Sequence, residues 1–132
     1  MTLLLDTDTI NFILKGRQQA LDRLEQATRR QESFLLATVV DFELSRYLLL
    51  KGARRLVRAY EELTKTWARC NPESEDWASA ADLWAQRHRL GRPIADLDLL
   101  IAILARRRQA TLVTSNRKHF EGLGLPLETW TE

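Results

Sequence analysis

Oxygen-bearing polar side chains interrupt four apolar segments of this chain. The segments are Leu3-Leu4-Leu5-Asp6, Val39-Val40-Asp41-Phe42-Glu43-Leu44, Asp96-Leu97-Asp98-Leu99-Leu100-Ile101 and Leu112-Val113-Thr114-Ser115-Asn116. Because an ionised carboxylate is costly to remove from water, a buried cluster of carboxylates requires a counter-charge. A divalent cation supplies it most simply, and oxygen ligands without clustered Cys or His favour Mg²⁺ or Mn²⁺ over zinc.

The chemistry expected of such a site is phosphodiester hydrolysis. A hard cation held by a few carboxylates keeps several waters, makes a bound water more acidic and neutralises charge that grows on phosphoryl oxygens. Glu43 supports this interpretation because Val39 and Val40 lie one helical turn before it, so its face of the helix is largely apolar. A Glu with a purely solvated role is not expected there.

Each of these residues also has a structural alternative. Asp6 would suit a turn after a strand, and Asn116 a helix cap. Asp96 would suit the N-cap of its own helix, with Asp98 in the first turn, where the helix dipole favours a carboxylate. The metal interpretation depends on all of them meeting at one edge of a sheet.

The pattern of apolar residues predicts strands that alternate with helices. The predicted strands are 2–6, 33–37, 67–70, 110–114 and 125–130. The predicted helices run from a cap at Asp8 or Thr9 to Leu14, then 18–30, from a cap at Thr38 to about Leu50 with Asp41 in a capping-box position, then 53–65, 74–89, and from near Asp96 to Ala105. This order predicts an α/β sandwich with a mainly parallel sheet, whose functional groups gather at the carboxyl ends of the strands.

Composition limits the class of protein. The 132 residues are expected to form one domain, 1–132, and 20 Lys plus Arg against 18 Asp plus Glu give a net charge of only +2, which excludes a histone-like polycation. No signal-like or membrane-length apolar run is present, and the single Cys70 cannot form an internal disulfide. A soluble cytoplasmic protein that needs no membrane is the expectation.

The motifs resemble those of the PIN-domain ribonucleases, specifically the VapC-type toxins of bacterial toxin–antitoxin pairs. The resemblance covers nearly the whole chain, from Leu3 to Trp130, and its most specific block is Gly91 to Ala102. It implies a three-layer α/β/α sandwich with a mainly parallel sheet of four to five strands. It also implies a homodimer, an RNA substrate such as tRNA, and a VapB-like antitoxin whose tail enters the active-site groove.

Carried over by position, the resemblance implies that Asp6 and Asp98 hold Mg²⁺, for which Mn²⁺ can substitute. Glu43 would complete the acidic cluster and orient or deprotonate the attacking water, and Asn116 would take the fourth position. Relatives often carry Asp at that fourth position, and the lost charge favours a site with one metal. Asp96 is expected to be auxiliary.

Several polar residues are placed to contact RNA or phosphate. These are Arg46, Arg92, Thr114, Ser115, Arg117 and Lys118. Solvated helix faces explain any single Arg equally well. The aromatic residues Tyr47, Trp67, Trp77 and Trp84 occur at helical spacing and are expected in the core or in a dimer contact.

Three other functions are compatible with parts of the sequence. Asp6 to Ile10 also resembles the first motif of haloacid-dehalogenase-type phosphatases, with Asp6 as nucleophile and Asp8 as general acid. A metal-independent ribonuclease would use His88 and His119 as acid and base. A non-enzymatic binding module would leave the acidic residues with structural roles only.

Overall fold

Strands and helices alternate along residues 1–131, which are the residues that the computed structural model describes. The strands are β1 (Thr2–Leu5), β2 (Ser33–Ala37), β3 (Ala68–Cys70), β4 (Thr111–Val113) and β5 (Leu127–Glu128). The helices are α1 (Thr7–Leu14), α2 (Gln18–Arg29), α3 (Thr38–Lys51), α4 (Arg54–Thr64), α5 (Ser74–Arg89), α6 (Asp96–Arg107) and α7 (Arg117–Phe120). The predicted α/β class is confirmed, although α7 was not predicted.

The five described strands form one sheet in the order β3-β2-β1-β4-β5, and every neighbouring pair is parallel. Leu3, Leu4 and Leu5 of the central strand are all 0% exposed. Because successive side chains of a strand point to opposite faces, both faces of the sheet must be covered. The parallel sandwich predicted from the sequence is therefore confirmed.

Parallel pairing brings the carboxyl ends of the central strands together. Leu5 at the end of β1 pairs with Val113 at the end of β4, and the Asp6 N–H donates to the Val113 carbonyl at 2.9 Å. The residues that follow these two strands, Asp6 and Thr114, are thus neighbours. Sheet register, rather than sequence proximity, sets this contact across more than a hundred residues.

Three predicted helix caps are wrong. Asp6, not Asp8 or Thr9, caps α1, because its side chain accepts the Thr7 N–H at 2.7 Å. Ala37 and Ala95, with extended backbones and no side-chain cap bond, precede α3 and α6, so Thr38 and Asp96 are already helical. The preceding strand or loop, not a capping side chain, determines where these two helices begin.

Asp41 was expected in a capping box, and it has a different role. Its carboxylate accepts hydrogen bonds from the hydroxyls of Tyr60 and Ser45, and it pairs with Arg69 at 3.3 Å. Burial and the adjacent Asp41 raise the pKa of the Tyr60 hydroxyl. Asp41 therefore joins α3 to α4 and β3.

Of the two places expected for the tryptophans of α5, the core and a dimer contact, the structure excludes the core. Its buried residues are Asp76, Ala80 and Leu83, whereas Trp77 and Trp84 are 58% and 44% exposed. Trp67, by contrast, stacks on Phe34 at 5.2 Å between ring centroids and packs against the core.

Helix α6 supplies much of the core, since every residue from 99 to 105 is buried. In residues 1–131, no helix combines the length and the apolar composition needed to cross a membrane.

Candidate active site

A cavity of about 730 Å³ opens at the carboxyl edge of the sheet, between α1, α3 and the start of α6. We call it the acidic cavity. Its lining residues are Asp6, Thr7, Asp8, Asn11, Glu43, Leu44, Arg46, Tyr47, Leu50, Asp98, Asn116 and His119. The structure thus brings the four predicted catalytic residues, from four separate segments, to one cavity.

Asp6 forms the most buried part of this site and is 4% exposed. One carboxylate oxygen accepts the Thr7 N–H, and the other accepts the Thr114 hydroxyl at 2.8 Å. Burial raises the pKa of Asp6 to about 6, and the charges of Asp98 and Asp8 add to this, while the two hydrogen bonds oppose it. Asp6 is therefore a carboxyl group without a cationic partner in a crowded acidic environment.

Asp98 lies in the first turn of α6 and is half-buried. Burial raises its pKa, as does the charge of Glu43, whereas His119 acts in the opposite direction. The His119 Nδ1 lies 3.4 Å from a carboxylate oxygen of Asp98. Helix α7, to which His119 belongs, therefore packs its polar side against the acidic cavity.

Glu43 projects from α3 and accepts a hydrogen bond from the Thr7 hydroxyl. Because Thr7 directly follows Asp6, this bond fixes α3 relative to the end of β1. The half-buried position of Glu43 agrees with the apolar surroundings expected from the sequence.

Asn116 is oriented by a residue that the metal interpretation did not include. Its Nδ2 donates to a carboxylate oxygen of Asp8 at 2.7 Å, and the Ser115 hydroxyl lies 3.4 Å from the same oxygen. The sequence analysis considered Asp8 as a helix cap and as the acid of a phosphatase, not as part of the metal site. The available signal was its position two residues after Asp6, which makes it the second residue of α1.

The remaining predicted contact residues divide into three groups. Arg46 lines the acidic cavity, and Thr114 is buried beneath it as the partner of Asp6. Ser115, Arg117 and Lys118 line an adjoining cavity. Arg92 and Asp96 are exposed and line neither of these two cavities, so the structure does not bring Asp96 into the acidic cluster.

The donor set of the acidic cavity suits a hard cation. Among residues 1–131, no three His, Cys, Asp or Glu side chains form a ready metal cage. Mg²⁺ does not need one, since it is commonly bound through one or two carboxylates while retaining waters. Burial raises the pKa of both Asp6 and Asp98, neighbouring carboxylates raise both further, and a cation held by the two would relieve that uncompensated charge.

The two histidines of the metal-independent alternative do not share this site. His119 lines the acidic cavity, whereas His88 lies at the end of α5 and stacks on Trp84 with ring centroids 3.7 Å apart. An acid–base pair must act on one bound phosphate, so the structure does not favour this mechanism.

Comparison with known proteins identifies the family to which this fold belongs. Residues 3–124 match the model of the PIN domain family. No curated protein sequence matches the chain.

Several solved structures resemble this fold over its full length. VapBC-1 from nontypeable Haemophilus influenzae is 27% identical with a TM-score of 0.79, and the match covers 100% of both chains. VapBC2 from Rickettsia felis, bound to a promoter DNA fragment, is 23% identical with a TM-score of 0.88 over 99% of this chain and 100% of that one. DNA-bound VapBC from Salmonella typhimurium is 23% identical with a TM-score of 0.79 over 99% of each chain.

Proposed function

Because the chain belongs to the PIN-domain family, we propose that it is a Mg²⁺-dependent endoribonuclease and the toxin of a toxin–antitoxin pair. Its fold is that of VapC-type toxins. The proposed reaction is hydrolysis of an RNA phosphodiester bond by water, in the cytoplasm. Family membership supports a nuclease, and the acidic cavity supports the metal and the reaction.

One observation carries the proposal: Asp6, Glu43 and Asp98 come from β1, α3 and α6 and line the same cavity. A protein that needed these residues only for folding would not place three carboxylates together without cations, because their repulsion destabilises the fold. Burial raises the pKa of Asp6 and of Asp98, and the charges of neighbouring carboxylates raise both further. Such groups cluster at functional sites.

Each residue has a distinct role in this proposal. Asp6 and Asp98 would hold Mg²⁺ or Mn²⁺, which when bound acidifies a water and neutralises charge on the phosphate. Glu43 orients the attacking water and accepts its proton, and Thr7 keeps the Glu43 carboxylate in position. Asn116, held by Asp8, borders the site at the fourth position, and Arg46 is placed to attract the RNA phosphate.

The proposed partners follow from the same resemblance. We propose a VapB-like antitoxin as the inhibitor, because the solved relatives are described as VapBC assemblies. Its tail would occupy the acidic cavity, whose rim is formed in part by Leu50, 87% exposed. An exposed leucine beside carboxylates suits a segment that carries both apolar and cationic side chains.

The test compares Asp98→Asn with Asp96→Asn, because both remove one carboxylate from the first turn of α6 but only Asp98 lines the cavity. We expect Asp98→Asn to lose cleavage of structured RNA, including tRNA, by about a hundredfold or more. Asp96→Asn should stay within about twofold of the parent protein. Gel-resolved cleavage rates measured with Mg²⁺, Mn²⁺ and EDTA provide the readout.

Three results would reject the proposal. Full activity in EDTA would exclude the metal, and equal activity of the two variants would remove Asp98 from the site. Hydrolysis of small phosphate monoesters without cleavage of RNA would favour a phosphatase with Asp6 as nucleophile.

A further inference from the structure

A second cavity, of about 570 Å³, lies beside the acidic cavity and has the opposite charge. We call it the basic cavity. Its lining includes the cations Arg17, Arg117 and Lys118 and one carboxylate, Glu121. A volume of this size lies within the range of ligand-binding sites.

The two cavities adjoin, because Asn116 and His119 line both. A polymer whose reacting phosphate occupies the acidic cavity therefore passes these two residues and enters the basic cavity. A small substrate would have no use for the second cavity, whereas a nucleic-acid strand would continue into it.

Arg17 is held in place at this surface. Its guanidinium lies over the Phe12 ring, 4.6 Å from the centroid, and its side chain makes no capping bond to α2. Among residues 1–131, Arg17, Arg117 and Lys118 have no carboxylate within ion-pair distance. These cations are therefore free to bind an external anion, and a stacked guanidinium is already ordered for phosphate.

We propose that the basic cavity binds the sugar-phosphate backbone of a single RNA strand next to the scissile bond, with Arg17 and Arg117 contacting phosphates. This inference rests on the proposed nuclease function and defines the substrate of the same site. Without a bound metal, the carboxylates of the acidic cavity outnumber Arg46, so most of the attraction that holds the strand must come from beside it. The basic cavity provides that attraction.

The test measures RNA binding without cleavage, so that it does not depend on catalysis. Fluorescence anisotropy in EDTA would follow a labelled single-stranded oligoribonucleotide binding to the parent protein and to the double variant Arg17→Gln/Arg117→Gln. Repulsion by the acidic cavity is common to both proteins, so the difference isolates the basic cavity. The matched control is Arg30→Gln/Arg108→Gln, which removes the same charge.

The control residues lie near the amino-terminal ends of the strands, opposite the carboxyl ends where the acidic cavity opens. Arg30 and Arg108 are exposed C-caps of α2 and α6, just before β2 and β4 begin. All four arginines are on the surface, so neither double variant is expected to disturb the fold, and circular dichroism would verify this.

We expect Arg17→Gln/Arg117→Gln to raise the Kd about tenfold at low salt. We also expect the slope of log Kd against log salt to fall by about 1.4, since each lost contact to single-stranded phosphate removes about 0.7. The control should match the parent protein in both measurements. Equal affinity and slope in all three proteins, or equal losses in the two double variants, would overturn the proposal.

Cleavage assays distinguish this inference from the function on which it rests. If RNA is not cleaved but the Arg17→Gln/Arg117→Gln variant binds less tightly, the nuclease function fails and the RNA subsite stands. If RNA is cleaved with Mg²⁺ and both double variants bind equally, the subsite fails and the nuclease stands.

Discussion

At the scale of single residues, burial of Asp6 lowers the stability of the fold at the position where we propose that a metal binds. Its buried carboxyl is stabilised by only two hydrogen bonds, and burial raises its pKa from 3.8 to about 6. The native protein therefore binds a proton at Asp6 more tightly than the unfolded chain does. Between about pH 4 and pH 6 the unfolded chain releases this proton first, so the free energy of unfolding falls as the pH rises through that window.

We predict that Asp6→Asn stabilises the metal-free protein at pH 8 by up to about 3 kcal/mol, since two pKa units correspond to about 2.7 kcal/mol. Asn suits the N-cap of α1 and keeps an acceptor for the Thr7 N–H. At pH 4 the advantage should largely disappear, because Asp6 is then protonated. Urea unfolding in EDTA at both pH values measures the difference.

Two further measurements complete this test. Asp96→Asn, at an exposed position, should leave the free energy of unfolding within about 0.5 kcal/mol of the parent protein at both pH values. Added Mg²⁺ should stabilise the parent protein and not Asp6→Asn, because ligand binding to the native state raises its stability. A less stable Asp6→Asn protein at pH 8 would contradict the stated cost of burying Asp6.

At the scale of elements, the sequence predicted what each segment forms better than where it begins. Asp6, Thr7, Asp8 and Thr9 can all cap a helix, so composition could not choose among them. The position of the cap is set by β1, whose ladder of backbone hydrogen bonds ends with the bond from the Asp6 N–H to the Val113 carbonyl. That partner lies at the far end of the chain and has no local signal.

The meeting of Asp6 and Asn116, which follow strands β1 and β4, was predictable for the opposite reason. Parallel strands bring their carboxyl ends to one edge, so residues following two strands could be assigned to one site without knowing a single contact. The hydrogen bonds that orient them were not predictable in this way. The bond that Thr7 donates to Glu43 and the bond that Asn116 donates to Asp8 depend on side-chain packing between elements.

Helix α5 shows how a long-range polar contact overrides an apolar pattern. Asp76 is 3% exposed, accepts the Glu73 N–H in a capping box and binds the Arg107 guanidinium at 2.9 Å. From the sequence, the tryptophans could be expected in the core as well as in a dimer contact, because nothing local indicates that Asp76 has a partner on α6. Arg107 is at the end of α6 remote from the acidic cavity.

We predict that Asp76→Ala lowers the free energy of unfolding by about 2–4 kcal/mol, because it removes a cap and the buried partner of Arg107, which keeps only the exposed Glu73 as a carboxylate partner. Asp82→Ala, on the same helix, should change it by less than about 0.5 kcal/mol, since Asp82 is exposed and only accepts from Gln86. Chemical denaturation measures both. Cleavage per folded molecule should be unchanged, and its loss in a folded Asp76→Ala protein would contradict the placement of this pair outside the site.

At the scale of the whole molecule, a net charge of +2 conceals a strong separation of charge. Carboxylates line the acidic cavity, and cations line its neighbour. Composition reports only the sum, so it could exclude a polycation but could not predict adjoining cavities of opposite sign. Under the proposed function, this arrangement would place the reaction and the attraction for RNA at separate points on one strand.

The exposed aromatic surface is the remaining feature that concerns the whole molecule. Trp77 and Trp84 are two helical turns apart and form one exposed stripe on α5. Phe42 and Leu49 have the same spacing on α3 and are exposed as well. The α3 stripe adjoins the acidic cavity, which under the proposed function must stay open to RNA, whereas the α5 residues do not line it. Tryptophan is enriched at interfaces because it buries a large area.

We predict that the chain is a homodimer joined through the α5 stripe, so that sedimentation equilibrium gives twice the 15.3 kDa chain mass. Trp77→Ala/Trp84→Ala should be monomeric at micromolar concentration, because each truncation removes a large apolar contact. Phe42→Ala/Leu49→Ala removes the matching pair from α3 and should remain dimeric. If only the α3 variant dissociates, the interface lies at the rim of the acidic cavity, and dimerisation would itself control access of RNA to the carboxylates.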